Sequence, residues 1–441
     1  MKNFILLVLV FYFSSVQAQY NNTVHKIKRD SVPRSLPSPL DNPPFPTSDW
    51  DGAPLIGSDA TPSNYLLQKA LGMSKSHLKI FGWVDIGGNL SSSKYSNAPT
   101  SYDLIPNSLV LDQAALKLDL EPNTIQTDHI SVGFLSTTIF GTDYRYTTAK
   151  GYFSDQLLKN NNKYGFDPAE IYALIYIPKV ADGLLLKLGR FISPADIEAQ
   201  WAPDNYLYTH SLMFTVDPYT FSGLQGTLKL GAYWQLEFGV HAGNDVAPWS
   251  NSASVNGLIM ARWVSKDNNN SIYGGINSLG AGRFKNNHDD LQMLVATWGH
   301  RFNKSLHMMT EGYYMWQKDA LVGGTVIEGP AKSFYIGVGA GNLIPGLTSA
   351  VGLVNYFQVK FSPKDYLSIR NDFLDDPQGN RTGFATAYSS HTIGYIRHFN
   401  QYIRIRPEIR YEQAYSAGIT PFDNGAKRNQ FSASMDLIVR Y

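Results

Sequence analysis

Hydrophobic and polar residues alternate one by one in the last part of the chain. From Gln401 to Glu412, isoleucine, proline and tyrosine take the odd positions, and arginine and glutamate take most of the even ones. Between residues 428 and 441 the alternation returns, with Met435 and Leu437 on one parity and Asp436 on the other. Only a β-strand sends successive side chains to opposite faces. Both segments therefore predict strands with one apolar and one polar face.

Similar segments follow one another from residue 79 onward. They predict sixteen strands, with fourteen or eighteen as alternatives, near 79–90, 108–120, 128–140, 167–178, 183–192, 219–231, 233–243, 254–265, 271–280, 290–303, 305–317, 348–361, 364–374, 386–399, 401–413 and 428–441. The segments 206–217 and 332–342 fit either a strand or a loop. Short links such as 302–305, 362–364 and 399–401 alternate with long ones such as 141–166, 193–218, 318–347 and 414–427. This combination is typical of an all-β, transmembrane, antiparallel up-and-down β-barrel, apolar outside and polar inside.

The N-terminus predicts export. Lys2 precedes an apolar run from Phe4 to Phe13, and Val16-Gln17-Ala18 is an acceptable cleavage site, so residues 1–18 are interpreted as a signal peptide. A membrane anchor is disfavoured, because ten residues reach only about 15 Å as a helix. Residues 19–78 form a Pro-rich leader, with a short helix expected over 63–71, and residues 79–441 form the barrel. The leader is interpreted as a disordered segment, with a tether or a plug as the alternative.

Composition and motifs restrict the range of possible functions. A net charge of +1 gives no signal for nucleic acid, and the absence of cysteine excludes disulfides and thiol chemistry. No zinc-protease motif, nucleophile elbow or phosphate-binding loop occurs, so no catalytic residue, metal or cofactor is predicted. His391 beside Ser389 and Ser390 is interpreted as a chance grouping. The leading alternatives are thus a pore, a plugged structural or adhesive barrel, and, least favoured, an outer-membrane enzyme.

Two predicted strands place charges on the lumen face. The pore-lining candidates share the parity opposite to the apolar residues, and they are Arg370, Asp372, Arg404, Arg406, Glu408, Arg410 and Glu412. Rings of charge set ion preference in pores. The alternative, favoured because arginine and glutamate are interleaved, is a self-compensated ladder of salt bridges. At most a weak anion preference follows.

The long segment 193–218 is the candidate for a loop that narrows the pore. It is aromatic and carries the candidates Asp196, Glu198, Asp204 and His210. The alternative interpretations are an ordinary surface loop or one more hairpin. A second acidic segment, 372–380, suggests calcium through its spaced carboxylates, but it lacks EF-hand spacing, and a turn set by Pro377 and Gly379 is the favoured interpretation.

Several short motifs, taken in order, resemble the β-barrel porin-2 (OmpL-like) family of bacterial outer-membrane proteins over roughly 79–441. They are Gly183 to Pro194 with Glu198, Asn205-Tyr206, Phe214 to Pro218, Phe373 to Phe384, Arg406 to Tyr411, Pro421-Phe422, Gln430-Phe431 and the final aromatic residue. Two features depart from the family pattern: Asp196-Ile197 stand where a glycine is usual, and His210 stands where an arginine is common. If that position lies in a folded-in loop, His210 predicts weaker, pH-sensitive selectivity.

The resemblance implies an outer-membrane barrel with pore activity. We expect passive diffusion of small hydrophilic solutes or ions, contact with outer-membrane lipid, and no cofactor. Other porins of this size suggest a homotrimer by analogy.

Overall fold

The structure is a computed structural model that describes residues 65–441, except 101, 125, 155, 158–161, 232, 268, 284–289, 304 and 324–340. The predicted signal peptide, residues 19–64 of the leader and most of segment 332–342 lie outside the described residues. No helix in this described part is long and apolar enough to cross a membrane.

Sixteen antiparallel strands form one closed barrel, which confirms the predicted fold and strand number. Each strand pairs with the next in sequence, and β1 pairs with β16 to close the ring. The strands are β1 (Lys79–Ser91), β2 (Leu109–Leu120), β3 (Ser131–Gly141), β4 (Gly165–Ile177), β5 (Leu184–Ile192), β6 (Thr220–Leu230), β7 (Trp234–Asn244), β8 (Asn256–Val264), β9 (Asn270–Leu279), β10 (Gln292–Arg301), β11 (Leu306–Lys318), β12 (Leu347–Ser362), β13 (Asp365–Asp376), β14 (Thr386–His398), β15 (Ile403–Ala414) and β16 (Asn429–Arg440).

The ring closes at the end of the barrel where the chain enters and leaves it. Trp83 is opposite Arg440 in the ladder between β1 and β16. Beyond β16, the Tyr441 N–H donates to the Gly82 carbonyl at 2.9 Å, and the Gly82 N–H donates to the main-chain carbonyl oxygen of Tyr441 at 3.0 Å. Closure leaves no open strand edge, which a spanning β-structure requires because lipid cannot satisfy backbone groups.

The strand alternation sorts side chains as the sequence predicts. On β15, Ile409 and Tyr411 are 48% and 39% exposed on the outer surface, whereas Arg410 between them is buried inside. On β16, Met435 and Leu437 face outward and Asp436 faces inward. A shift by one residue exchanges the two faces, so the pattern fixes the register.

The connections differ in length between the two ends of the barrel. One end carries tight turns, for example at 302–305, 363–364 and 399–402. The other end carries the long connections between strands, including 92–108, 142–164, 193–219, 319–346 and 415–428, of which residues 101, 155, 158–161 and 324–340 lie outside the described part. Outer-membrane barrels have short turns on the periplasmic side and longer loops outside, and this fold follows that arrangement.

Short helices lie outside the strands. Helix α1 (Leu66–Ala70) follows Tyr65, whose ring stacks on Phe81 of β1 with centroids 4.1 Å apart. It is shorter than the helix expected over 63–71. Helices α2 (Tyr144–Thr147) and α3 (Leu212–Val216) belong to long loops. Segment 206–217 is therefore loop and helix, and the strand alternative for it is wrong.

Candidate functional site

The loop that joins β5 to β6, residues 193–219, folds into the barrel interior and is named the inner loop here. Nearly all of its residues are buried, and its polar atoms bond to the inner faces of β2, β11, β12, β13, β15 and β16. Ser211 caps α3 by accepting the Phe214 amide at 3.1 Å. The surface-loop and hairpin interpretations are wrong, because the loop finds partners for its backbone on the barrel wall.

A row of arginines on β15 and β16 holds the backbone of the inner loop. Each guanidinium donates to a main-chain carbonyl, so the row follows the loop along the wall. The pairs are Arg404 with Ala202 at 3.0 Å, Arg406 with Asn205 at 2.9 Å, Arg410 with His210 at 2.7 Å and Arg440 with Pro203 at 3.1 Å. On β13, Arg370 bonds to both the carbonyl and, at 3.0 Å, the hydroxyl of Thr209.

Carboxylates on the same wall take the amides of the loop. Glu408 accepts the N–H groups of Tyr208 at 2.9 Å and Thr209 at 3.3 Å. Asp372 accepts the Leu212 N–H at 3.0 Å. Buried backbone groups require partners, and the charged faces of β13 and β15 supply them on both the donor and the acceptor side.

Several charges of this wall form ion pairs. Arg370 lies 3.5 Å from Glu198 and 3.4 Å from Asp372, and Arg410 lies 2.7 Å from Glu412. The fourth pair joins Arg406 to Asp436 of β16, with Nε 3.0 Å from Oδ2. Six of the seven pore-lining candidates thus bond directly to the inner loop, and the seventh, Glu412, contacts Arg410. Such pairing is the arrangement expected of a self-compensated ladder.

The acidic candidates of the loop occupy different surroundings. Glu198 lies at the centre, accepting the Ser211 amide at 2.9 Å and the Tyr356 hydroxyl. Asp196 has a φ of 93°, and burial, followed by the nearby Asp217 carboxyl, raises the pKa of Asp196 well above its ordinary value. Asp204 closes a 3₁₀ turn, its amide donating to the Trp201 carbonyl at 2.9 Å.

His210 is packed in an aromatic cluster. Its ring lies 3.9 Å from that of Tyr102 and 4.4 Å from that of Phe214, and Nε2 donates to the Ala199 carbonyl at 3.0 Å. Burial lowers the pKa of His210 well below its ordinary value. Burial therefore favours the neutral imidazole.

Other contacts of the loop were not singled out by sequence reasoning. Gln113 of β2 accepts the Ala202 amide at 3.1 Å, and the Tyr206 hydroxyl lies 2.6 Å from Nε2 of His307. The alternation along β16 is sufficient to predict that Asp436 and Arg440 face inward. For Gln113 and His307 no sequence pattern indicates the partner.

The acidic segment after β13 forms a turn. Asp376 accepts the amides of Arg381 at 3.1 Å and Thr382 at 2.7 Å, and Gly379 has a φ of 69°. These bonds engage one carboxylate oxygen in holding the turn. Among the described residues, no group of three or more His, Asp or Glu side chains has the geometry to hold a metal ion.

Solved structures of other proteins have folds similar to this barrel. The solved structures similar to it include an anion-selective porin from Comamonas acidovorans, at 10% identity and a TM-score of 0.50, with 82% of this chain and 99% of that chain covered. OmpT of Vibrio cholerae in its trimer form (10%, TM-score 0.49) and the channel DcaP of Acinetobacter baumannii (10%, TM-score 0.46) align over the same 82% of this chain and 99% and 97% of theirs. At these identities the likeness concerns the fold alone.

Among curated proteins, none matches this chain. The family model described as "Putative beta-barrel porin-2, OmpL-like" matches residues 77–441, which include every strand of the barrel and the whole inner loop. The chain belongs to this family of outer-membrane β-barrel porins.

Proposed function

We propose that the protein is a passive channel of the bacterial outer membrane, through which small hydrophilic solutes and ions diffuse without a chemical step. The observation that carries this proposal is the inner loop, which crosses into the barrel and is bonded to the wall by residues of β13, β15 and β16. A loop fixed in this way narrows the lumen at one level, and width and charge at the narrowest level set what passes.

The passage is proposed to lie between the inner loop and the opposite wall, formed by β3 to β9. The inner face of that wall carries interacting polar groups. Glu170 accepts the Thr137 hydroxyl at 2.7 Å, and Glu237 accepts from Gln225 at 3.0 Å. Lys187 lies over the ring of Tyr172 at 5.0 Å. Both acids, Glu170 and Glu237, and a base, Lys187, lie on this face, which suits polar solutes of either charge.

Selectivity for charge is proposed to be weak. The arginines of the loop wall have carboxylate or carbonyl partners, and buried pairs present little net charge to a passing ion. At most a slight anion preference follows from the arginine row. The cleavable signal peptide at 1–18, the leader at 19–78 and a homotrimer belong to the same proposal, and cross-linking in outer-membrane vesicles tests the trimer.

Solute entry into proteoliposomes tests the channel. Liposomes that contain the refolded mature protein are placed in iso-osmotic solutions of sugars of increasing size. A passive channel gives swelling rates that fall steadily with sugar size and do not saturate with concentration. A barrel that admits none of the sugars contradicts the proposal and favours the plugged structural or adhesive alternative.

A further inference from the structure

Three glycines of the barrel wall lie directly beneath side chains of the inner loop. Gly87 of β1, Gly352 of β12 and Gly394 of β14 all belong to the inward-facing parity of their strands. None of the three has a positive φ, so the backbone conformation does not require glycine at these positions. The atoms that surround these positions, and not the backbone conformation, therefore explain why no side chain is present.

The missing side chains make room for the tips of three loop residues. A Cβ atom built on Gly352 falls 2.3 Å from Cγ of Met213, and one built on Gly394 falls 2.4 Å from Cδ2 of Leu207. On Gly87 the Cβ falls 2.2 Å from the hydroxyl oxygen of Tyr208, and 2.3 Å from Oδ2 of Asp112 on β2. Carbon atoms pack at about 3.5–4.0 Å. The loop therefore touches bare backbone at three points.

Other strand glycines serve a different purpose. Gly141 and Gly189 have φ values of 147° and 141°, and a Cβ on either lies 2.0–2.2 Å from a carbonyl oxygen of the neighbouring strand. There the barrel itself requires glycine. Gly352 differs because the three atoms nearest to its added Cβ, namely Cγ, Sδ and Cβ, all belong to the side chain of Met213. A side chain at Gly352 therefore meets the loop and not the neighbouring strands.

We propose that Gly87, Gly352 and Gly394 are positioning residues that fix how closely the inner loop lies against one wall, and thereby set the width of the passage on its other side. The proposal rests on the proposed channel function for its consequence, but the seating of the loop is a separate property. The side chains of Leu207, Tyr208 and Met213 (the knobs) occupy the space above the three glycines (the sockets), where any other residue would place a Cβ atom. The loop is a fixed part of the wall.

The test compares Gly352→Ala with Gly312→Ala. Gly312 lies on the adjacent strand β11, opposite Leu353 in the ladder, and its added Cβ meets atoms only at 3.7–3.8 Å. Both variants add one methyl group to neighbouring strands, but only Gly352→Ala meets the loop. A third variant, Gly352→Ala with Met213→Ala, removes the knob as well. Heat-dependent migration on gels verifies that each barrel is folded.

Two readouts separate loop seating from conduction. In amide hydrogen exchange, peptides covering 205–216 are expected to exchange about 5- to 30-fold faster in Gly352→Ala than in wild type, with Gly312→Ala unchanged and the double variant closer to wild type. Single-channel conductance is expected to fall in Gly352→Ala and to recover in the double variant, because a loop pushed off the wall narrows the passage.

Equal exchange and equal conductance in Gly352→Ala and Gly312→Ala overturn the socket proposal. Faster exchange of 205–216 in Gly352→Ala, together with a wild-type barrel that carries no current, supports the sockets and refutes the channel function instead. If Gly352→Ala does not fold, Met213→Ala tests the same contact from the loop side. Faster exchange of 205–216 in that variant supports the seating, and unchanged exchange contradicts it.

Discussion

The ion pair between Arg406 and Asp436 gives the sharpest prediction on how the charged wall is held together. Both side chains are 1% exposed. Nε of Arg406 lies 3.1 and 3.0 Å from the two oxygens of Asp436, and another guanidinium nitrogen donates to the Asn205 carbonyl at 2.9 Å. The pair therefore joins two strands and the inner loop. Removing one partner leaves the other charge buried without its counter-ion.

The magnitude follows from this burial. Arg406→Met leaves the Asp436 carboxylate unpaired and the Asn205 carbonyl without its donor, and breaking a buried pair costs about 3–5 kcal/mol. In the double variant Arg406→Met with Asp436→Asn, neither position carries a buried charge that lacks its counter-ion. The double variant is expected to lose less than the sum of the single losses by about 2–3 kcal/mol, which is the coupling energy.

Urea unfolding of the refolded barrel in phospholipid vesicles, followed by tryptophan fluorescence, measures the four free energies of unfolding of the cycle. Arg397 and Asp365 form the control pair, because they also join neighbouring strands but lie at the exposed barrel end, 42% and 15% exposed. Their coupling is expected to be much smaller, since water screens them. Single losses that simply add at 406 and 436 refute the reasoning.

Three further predictions concern the loop acceptor, pH and the outer surface. Glu408→Ala leaves the Tyr208 and Thr209 amides without their acceptor, so urea unfolding should show a loss of about 1–3 kcal/mol, with a smaller loss for Glu408→Gln. Burial raises the pKa of Asp103, in the loop 92–108, to about 8. The folded protein thus holds a proton that the unfolded chain releases, and stability should fall as the pH rises from about 4 to 8, with a flatter profile in Asp103→Asn. An unchanged profile contradicts this assignment. Met435→Arg, on the outer face, should lower the free energy of unfolding in vesicles by about 2–4 kcal/mol if this face contacts lipid. An unchanged free energy of unfolding indicates that this face does not contact lipid.

The sequence predicts the barrel well because the physical cause is local. Side chains of a strand alternate with period two, so the residues on either side of Arg410 and Asp436 already tell which face is apolar. Closure then follows from the membrane, which admits no open edge, and single-chain bacterial barrels have even strand numbers. The alternation also directs the charged faces of β13 and β15 inward, and the structure places them there.

The partners of the inner loop are harder to predict. Glu408 and Thr209 are separated by 199 residues, and no pattern along the chain joins them. Glycines such as Gly352 carry no hydrophobic or charge signal, and only the fold shows what lies above them. The length and aromatic content of segment 193–218 do not determine where the segment lies in the fold. A hairpin and a surface loop therefore stayed as alternatives to a loop folded into the barrel.

Single-channel conductance in a planar bilayer, with a salt gradient across it, tests the central claim most directly. The refolded mature protein is predicted to give discrete, persistent current steps. Its reversal potential is predicted to lie near zero or slightly on the anion-selective side, because Arg370, Arg406 and Arg410 are paired with carboxylates. A folded barrel that carries no current contradicts the channel. Strong selectivity for either ion contradicts the balanced charge of the wall around the inner loop.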